Sequence, residues 1–316
     1  MTRTVSARFI LSVLALGLIG TAHAQLPTPD WYMVDSQVGD NNWNSVGSSA
    51  AFKHWANDPS VINYVGDPDP RYATAMDANA VYSVAAGKLL RTRGVGADAD
   101  HFLGGTLILD GADLLNRGSG TRVPNITNLI ALNGSGMRSG VATIAGFNIT
   151  NLNAYSGTVT FNSVAGRGFN LAITNLTGAA DIVFTAGGTY NLNIANTTGF
   201  TGNMSLTAGP ANEVTKLGFL ADLSFAGTLN IASGTTVNLT HSVTASGLTI
   251  AGDALADGVY DYAYLSTNYG AIFTAGDELT GQIIVGSTIP EPSAFALLAG
   301  GLAFGAVALR RRRRRD

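Results

Sequence analysis

The sequence contains no cysteine and few charged residues. The absence of cysteine from all 316 residues excludes a disulfide framework, a thiolate metal site and a cysteine nucleophile. Charged side chains make up 12% of the chain, against about 25% in an average soluble domain. Between Ser139 and Asn212 only Arg167 and Asp181 are charged. Stability in this stretch must therefore come from packing and hydrogen bonds rather than from cross-links or ion pairs.

The basic residues are concentrated at the two ends of the chain. Eight of the 18 Lys and Arg residues, and two of the 21 Asp and Glu residues, fall within 1–24 and 290–316. The rest of the chain carries 10 bases against 19 acids. Because nucleic-acid binding depends on Lys and Arg at the phosphates, this acidic body predicts no nucleic-acid partner.

A short strand-like sequence is repeated through the middle of the chain. Aligned on Phe147, Phe169 and Tyr190, three copies lie 22 and then 21 residues apart. A period near 22 residues indicates a solenoid. With an imperfect first copy, the repeats occupy residues 125–129, 147–152, 169–176 and 190–197.

Within the copies, apolar residues alternate with Asn, Thr, Ser or Ala. Such alternation gives a strand one buried and one hydrated face, and two or three such strands per repeat, joined by turns, form one coil of a parallel β-helix. A leucine-rich repeat has a similar period, but its Leu-x-x-Leu-x-Leu-x-x-Asn frame is missing here. The recurring Asn residues are expected either to stack as a ladder of side-chain amides or to occupy left-handed turns.

The predicted fold is therefore all-β, a right-handed parallel β-helix (β-solenoid) over residues 101–250. An N-terminal cap is expected over 25–100, because Trp31, Trp43 and Trp55 lie there and large aromatic side chains can cover the first coil of a solenoid. Whether the cap is a separate domain stays open. Within it, residues 40–45 (Asp-Asn-Asn-Trp-Asn-Ser) and 52–55 (Phe-Lys-His-Trp) resemble the opening coil of autotransporter-like secreted repeat proteins.

The sequence pattern changes again after residue 250. Aromatic residues become frequent, and strands are predicted at 257–262, 269–273 and 280–285. We interpret residues 251–289 as a closing coil that covers the far end of the solenoid. An ordinary coil like the others is the alternative.

The N-terminal segment 1–24 has the three parts of a secretory signal. Arg3 and Arg8 precede an apolar run at 9–20, which is followed by Ala22-His23-Ala24. This apolar run is too short to span about 30 Å of hydrocarbon. We therefore predict a signal helix that is cleaved after Ala24, with an uncleaved anchor as the alternative.

The C-terminal segment 290–316 contains three elements in a fixed order. Pro290-Glu291-Pro292 precedes an apolar run of small and aliphatic residues at 294–309, which predicts a C-terminal transmembrane helix of about 24 Å. A cluster of arginines follows, which is a strong stop-transfer signal on the cytoplasmic side. The cluster consists of Arg310, Arg311, Arg312, Arg313, Arg314 and Arg315.

This tail resembles the PEP-CTERM sorting domain. The resemblance implies export through the inner membrane, transient tethering there, and recognition of Pro290, Glu291 and Pro292 by an exosortase membrane protease. It further implies removal of the tail near this motif and a final location in the cell envelope, at the cell surface or in the extracellular matrix, with exopolysaccharide as a candidate contact. A plain C-terminal membrane anchor is the alternative.

Two acidic clusters contain residue types that bind calcium. One holds Asp67 and Asp69, and the other holds Asp98, Asp100 and His101. Calcium prefers several oxygen ligands on a loop, but neither cluster has the spacing of an EF-hand. Turn aspartates exposed to solvent are the simpler explanation, so no metal site and no cofactor are predicted.

Candidate catalytic residues are sparse. A glycosidase needs two carboxyl groups about 5 to 9.5 Å apart, and Asp110 with Asp113 near His101 is the best candidate, followed by Glu213 with Asp222. His54, His101 and His241 lack the context of a nucleophile elbow, and no glycine-rich phosphate loop occurs. We therefore expect no enzyme activity and predict a structural or adhesive role. A secreted polysaccharide lyase or glycosidase is the alternative.

Overall fold

The computed structural model describes most of the body of the protein. The predicted signal peptide, with Ala22 and Ala24, and the tail from Pro290 to Asp316 lie outside the described residues. The described ranges are 25–34, 43–44, 55–60, 71, 73–92, 101–116, 123–139, 145–163, 168–185, 188–209, 215–273 and 280–286.

The body is built from two β-sheets, here called sheet 1 and sheet 2. Sheet 1 contains, in spatial order, β17 (Thr235–Asn238), β15 (Thr215–Phe219), β13 (Thr189–Asn196), β11 (Gly168–Gly178), β9 (Ala145–Ala154), β7 (Asn125–Leu132), β5 (Thr106–Asp110), β3 (Val81–Val84), β1 (Trp31–Met33) and β2 (Trp55–Ala56). Sheet 2 contains β20 (Gly258–Asp261), β21 (Gln282–Val285), β18 (Val243–Ile250), β16 (Leu223–Ile231), β14 (Met204–Leu206), β12 (Asp181–Thr185), β10 (Thr158–Asn162), β8 (Gly136–Ser139), β6 (Asp113–Asn116) and β4 (Leu89–Arg91). A further strand, β19 (Asp253–Leu255), pairs antiparallel with β18.

Each coil contributes one strand to each sheet. From β3 to β17 in sheet 1, and from β4 to β18 in sheet 2, every strand pairs in parallel with the strand two positions along the chain. The parallel β-helix predicted from the repeats is therefore confirmed. This regular stacking begins at Val81, within the region that we assigned to the cap.

The predicted alignment of the repeats was wrong at one step. Phe147 pairs with Leu171 rather than with Phe169, so the repeat is longer at this step than predicted, whereas Phe169 does pair with Tyr190. The copy at 169–176 contains one extra apolar–polar pair. The insertion of such a pair preserves a period of two, so the inward face stays apolar. The alternation of apolar and polar residues alone therefore does not reveal the change in register.

The interior consists of columns of apolar side chains, one contributed by each coil. Buried isoleucines align along sheet 1 at Ile126, Ile149, Ile173 and Ile194. Each such side chain contributes about 1.5–3 kcal/mol by leaving water. A continuous stack of this kind replaces the compact core of a globular domain.

The N-terminal end is covered by aromatic side chains, as predicted. Trp43 and Trp55 are buried, and the ring of Trp55 lies 5.0 Å from Tyr82 in an edge-on contact. Phe102 packs 5.4 Å from Trp43 and 5.6 Å from Tyr82. These rings belong to the same apolar cluster as the coils, so the interior continues from the cap into the solenoid.

The C-terminal end differs in part from the prediction. The strand predicted at 280–285 is present as β21 (Gln282–Val285), but the strand predicted at 257–262 ends at Asp261 and the strand predicted at 269–273 is absent. Helix α1 (Tyr262–Asn268) forms instead because Asp261 accepts a hydrogen bond from the Tyr264 backbone N–H at 2.8 Å and so caps its first turn. The turn after α1 still covers the last coil, since Ile272 and Phe273 are buried there.

The predicted membrane helix at 294–309 falls outside the described ranges. Within them, no helix is both long enough and apolar enough to cross a membrane.

Candidate functional site

An open groove of about 440 Å³ lies on the outer face of sheet 1. It crosses β7, β9, β11 and β13 and follows the direction in which the coils stack. Two outward columns of side chains line it, with one member of each column on each coil. The first column is Asn125, Asn148, Ala172 and Asn193, and the second is Thr127, Thr150, Thr174 and Ala195.

The groove follows a corner in the long strands of sheet 1. In β7, Ile126 and Leu129 are buried, while Thr127 and Asn128 between them are not. β9 and β11 repeat this pattern with Ile149 and Ile173 before the corner. Pairing between coils is interrupted at the first residue of each corner and resumes at the next. Two successive outward residues thus break the alternation of the strand, and the chain changes direction there.

A ladder of asparagine amides runs along this corner. Asn151 donates from Nδ2 to Oδ1 of Asn128 at 2.8 Å, and Asn175 donates in the same way to Asn151 at 2.8 Å. Asn196 continues the ladder at 3.1 Å, and Asn128 donates to the Gly105 carbonyl oxygen at 2.9 Å. The predicted ladder of stacked Asn side-chain amides is therefore confirmed on four coils.

Further asparagines of the repeats also stack from coil to coil, whereas Asn133 lies outside the repeated copies. Asn148 donates to Asn125 at 3.0 Å inside the groove, and Asn191 donates to Asn170 at 2.8 Å on the outer face nearby. Asn133 instead occupies a left-handed turn with φ of 54°. The stacked amides hold their side chains in one orientation along the axis of the solenoid.

A ladder bond uses only part of the hydrogen-bonding capacity of an amide. An Asn side chain offers two N–H donors and an oxygen with two lone pairs, and a ladder bond uses one donor or one lone pair. Asn148 and Asn193 are exposed in the groove, as are Thr127, Thr150 and Thr174. The groove therefore presents amide donors, amide acceptors and hydroxyl groups to solvent, at positions that recur from coil to coil.

Among the described residues that line the groove, none is Asp, Glu, Lys or Arg. The ionisable side chain among them is His101, at the end nearest the cap. The arrangement suits a partner rich in hydroxyl groups better than a charged one, because the described lining offers hydrogen-bond donors and acceptors but no charge of opposite sign.

The cap holds that end of the groove in place. The Asn44 side chain donates to the His101 carbonyl oxygen at 2.5 Å and accepts from the Leu103 backbone N–H at 3.0 Å. Phe102, between them, packs on Trp43. Trp43 and Asn44, which belong to the segment that resembles an autotransporter opening coil, thus contact this end of the groove.

Both members of the predicted acidic pair have partners on the neighbouring coil. Asp110 accepts a hydrogen bond from Asn133 at 2.7 Å, and Asp113 forms an ion pair with Arg138 at 2.6 Å. Neither aspartate lines the groove that contains His101. Both carboxylates stabilise contacts between neighbouring coils.

The remaining candidates that the structure describes also have structural contacts. Asp222 accepts from the Ser242 backbone N–H at 2.8 Å, and Asp181 accepts from the backbone N–H of Asn203 at 3.0 Å. His241 Nδ1 lies 2.9 Å from the Phe219 carbonyl oxygen. The other candidates fall outside the described ranges: His54, Asp67, Asp69, Asp98, Asp100, Arg167 and Glu213.

A second cavity of about 420 Å³ lies in the cap, beside Trp31. Its two carboxylates already accept backbone hydrogen bonds, because Val81 donates to Asp30 at 2.8 Å and Asn79 donates to Asp77 at 2.8 Å. Among the described residues, no three His, Asp or Glu side chains lie close enough to hold a metal ion.

The groove itself was not predicted from the sequence, although a signal for it exists. The sequence Ile-Thr-Asn-Leu occurs three times, at 126–129, 149–152 and 173–176. Each occurrence places two polar residues together in an otherwise alternating strand. This break in period marks the corner along which the groove runs.

Comparison with known proteins identifies the tail. Residues 288–314 match the PEP-CTERM protein-sorting motif, a range that includes Pro290, Glu291, Pro292 and the arginine cluster up to Arg314. No curated protein and no solved structure matches the chain. The motif indicates an exported protein that an exosortase sorts to the cell envelope. The predicted PEP-CTERM resemblance is therefore confirmed.

Proposed function

We propose that this protein is a structural or adhesive component of the cell envelope or extracellular matrix and has no catalytic activity. The match of residues 288–314 to the PEP-CTERM motif carries the proposal, because it directs the β-solenoid to the outside of the cell. A stiff stack of coils with neutral amides and hydroxyls on its outer face is suited to many weak contacts with exopolysaccharide. Such contacts require no catalytic centre.

The route outward follows from the order of elements in the tail. After the signal peptide is cleaved at Ala24, the apolar residues 294–309 hold the chain in the inner membrane for a time, with Arg310 to Arg315 on the cytoplasmic side. The exosortase recognises Pro290, Glu291 and Pro292 and cuts near them. Pro290 and Pro292 support this step, since proline keeps the preceding residue extended and accessible to a protease.

The proposed absence of catalysis is supported by the contacts of the aspartates that were candidates for a catalytic role. Asp110, Asp113, Asp181 and Asp222 all accept hydrogen bonds or form an ion pair with residues of neighbouring coils. Asp110 and Asp113 therefore contribute to the stacking of coils. A reducing-sugar assay on neutral and acidic polysaccharides checks this part of the proposal, and release of new reducing ends by the purified protein would contradict it.

Mass spectrometry of the C-terminus tests the sorting route. The full chain is expressed in cells with and without the exosortase, and the C-terminal peptide of the envelope fraction is identified. We expect loss of residues 294–316 only when the exosortase is present. Glu291→Gln should block this processing, while Glu213→Gln, the same chemical change outside the tail, should leave it intact. An intact tail in exosortase-containing cells would overturn the route.

A further inference from the structure

We propose that the groove on sheet 1 binds one strand of a neutral, hydroxyl-rich polysaccharide that lies along the solenoid axis. The inference rests on the proposed function, which brings the body into contact with matrix polysaccharide. It adds the site and the chemical class of the ligand.

The chemistry of the lining selects a neutral polymer. A sugar hydroxyl both donates and accepts, and the groove offers the complementary groups through Asn148, Asn193 and Thr150. A polyuronate or a basic peptide would find no Asp, Glu, Lys or Arg among the described lining residues to pair with its charges. Neutral glycans are therefore favoured over charged polymers.

The periodicity of the lining favours a polymer over a single sugar. Neighbouring coils lie about 4.8 Å apart, so four strands present the same kinds of groups over about 14 Å. A monosaccharide reaches the groups of one or two coils, whereas a chain of several sugars contacts all four. Affinity should thus rise with chain length until the groove is filled.

The groove is also held in shape before a ligand arrives. The hydrogen bond from Asn148 to Asn125 fixes two lining amides, and the amide ladder from Asn128 to Asn196 stiffens the adjacent corner. Asn44 secures the end at His101. Side chains that are already ordered lose less conformational freedom on binding, which matters for a site whose individual contacts are weak.

Isothermal titration calorimetry on the full chain in detergent micelles tests the proposal. The probes are neutral α- and β-linked glucans, a mannan and a galactan, each as a series of increasing length, with a polyuronate and a basic peptide as comparators. We expect at least one neutral series to bind, with affinity that increases with length. A polyuronate or peptide that binds as tightly as every neutral glycan would overturn the assignment, as would an absence of binding to all neutral series.

Two substitutions locate the binding site. Thr150→Arg places a long charged side chain in the groove without touching the interior and should weaken glycan binding on the order of tenfold or more. Ser246→Arg adds the same side chain at an exposed position on sheet 2 and should leave binding unchanged. Equal affinities of the two variants, with matching circular dichroism spectra, would place the ligand elsewhere.

The failures of the two proposals can be told apart. If the tail is processed but no neutral glycan binds, the groove assignment falls and the sorting route stands. If glycans bind in the groove while the tail stays intact in exosortase-containing cells, the sorting route falls and the groove assignment stands.

Discussion

The side-chain amide of Asn175 donates a hydrogen bond at 2.8 Å to the side-chain oxygen of Asn151, one coil earlier. Asn151 donates in turn to Asn128, so each amide in the ladder polarises the next. The ladder joins coils whose backbones are already paired, and it lies one residue after the position in each corner where that pairing is interrupted.

Removal of one rung should destabilise the solenoid measurably. Asn151→Ala eliminates two amide hydrogen bonds, which are worth about 0.5–1.5 kcal/mol each. Because the site is exposed and water can replace the lost partners, we expect a total loss of about 1 kcal/mol in the free energy of unfolding. Urea denaturation measures it. Asn193→Ala, an exposed Asn outside the ladder, is the control, and an equal loss in both variants would argue against the ladder.

Glycines at the turns should differ in their tolerance of alanine. Gly178 has φ of 102°, and a Cβ there would overlap the Ala154 carbonyl oxygen of the preceding coil. Gly134 has a similar φ of 85°, but nothing lies within 4 Å of its Cβ position. Gly134→Ala should therefore cost only the left-handed backbone penalty of about 1–2 kcal/mol. Gly178→Ala must also separate two coils.

Thermal melts of the two alanine variants make the comparison. We expect a clearly larger decrease in melting temperature for Gly178→Ala than for Gly134→Ala. Similar decreases would mean that the coils at Ala154 and Gly178 can move apart at little cost.

The sequence predicted the architecture because the solenoid is a local repeat. Apolar residues such as Leu171 and Leu192 alternate with polar residues, and a period of two assigns them to the interior without knowledge of which coils pair. The register was readable from the repeated Ile-Thr-Asn-Leu at 149–152 and 173–176, which aligns Ile149 with Ile173 as in the structure. The alignment on Phe147 and Phe169 passed over it. The insertion of one apolar–polar pair leaves no trace in the alternation.

Two other features were missed, one a local helix cap and the other a groove formed by stacked coils. Whether Asp261 ends a strand or caps a helix depends on the hydrogen bond that it makes with Tyr264, and aromatic residues after it suit either structure. The groove was missed for a different reason. Its polar lining is Asn and Thr, which are common on any outer face, so the repeated Ile-Thr-Asn-Leu that marks the corner did not by itself point to a site.

Alkaline pH should destabilise the protein through Tyr190. Its buried hydroxyl accepts from the Ser163 backbone N–H at 2.7 Å and lies within hydrogen-bonding distance of the Phe161 and Thr185 carbonyl oxygens. Burial raises the pKa of Tyr190 from 10.0 to about 12. The unfolded chain therefore releases this proton first, so the stability that the group provides is complete below pH 10 and is lost as the pH rises towards 12.

Denaturation at several pH values checks the size of this effect. The pKa shift of Tyr190 corresponds to about 2–3 kcal/mol in the free energy of unfolding. Tyr190→Phe should remove this part of the pH dependence, and at neutral pH it should cost about 1–3 kcal/mol because the Ser163 N–H loses its acceptor. Identical stability curves for the two proteins above pH 10 would contradict the assignment.

The contact between cap and groove can be tested through Asn44. Asn44→Ala removes the hydrogen bonds to the His101 carbonyl oxygen and from the Leu103 N–H, and Phe102 between them should lose its fixed position on Trp43. Loss of a partly buried hydrogen-bonded partner costs about 1–3 kcal/mol. We expect this loss of stability to be confined to the residues around Asn44. Hydrogen exchange at the Leu103 amide should accelerate, while exchange in β11 and β13 should stay unchanged. Asn57→Ala changes an exposed position of the cap and should leave the Leu103 amide protected. Faster exchange of the Leu103 amide in both variants would mean that the cap loosens as a whole. Asn44 would then have no special role in holding the groove.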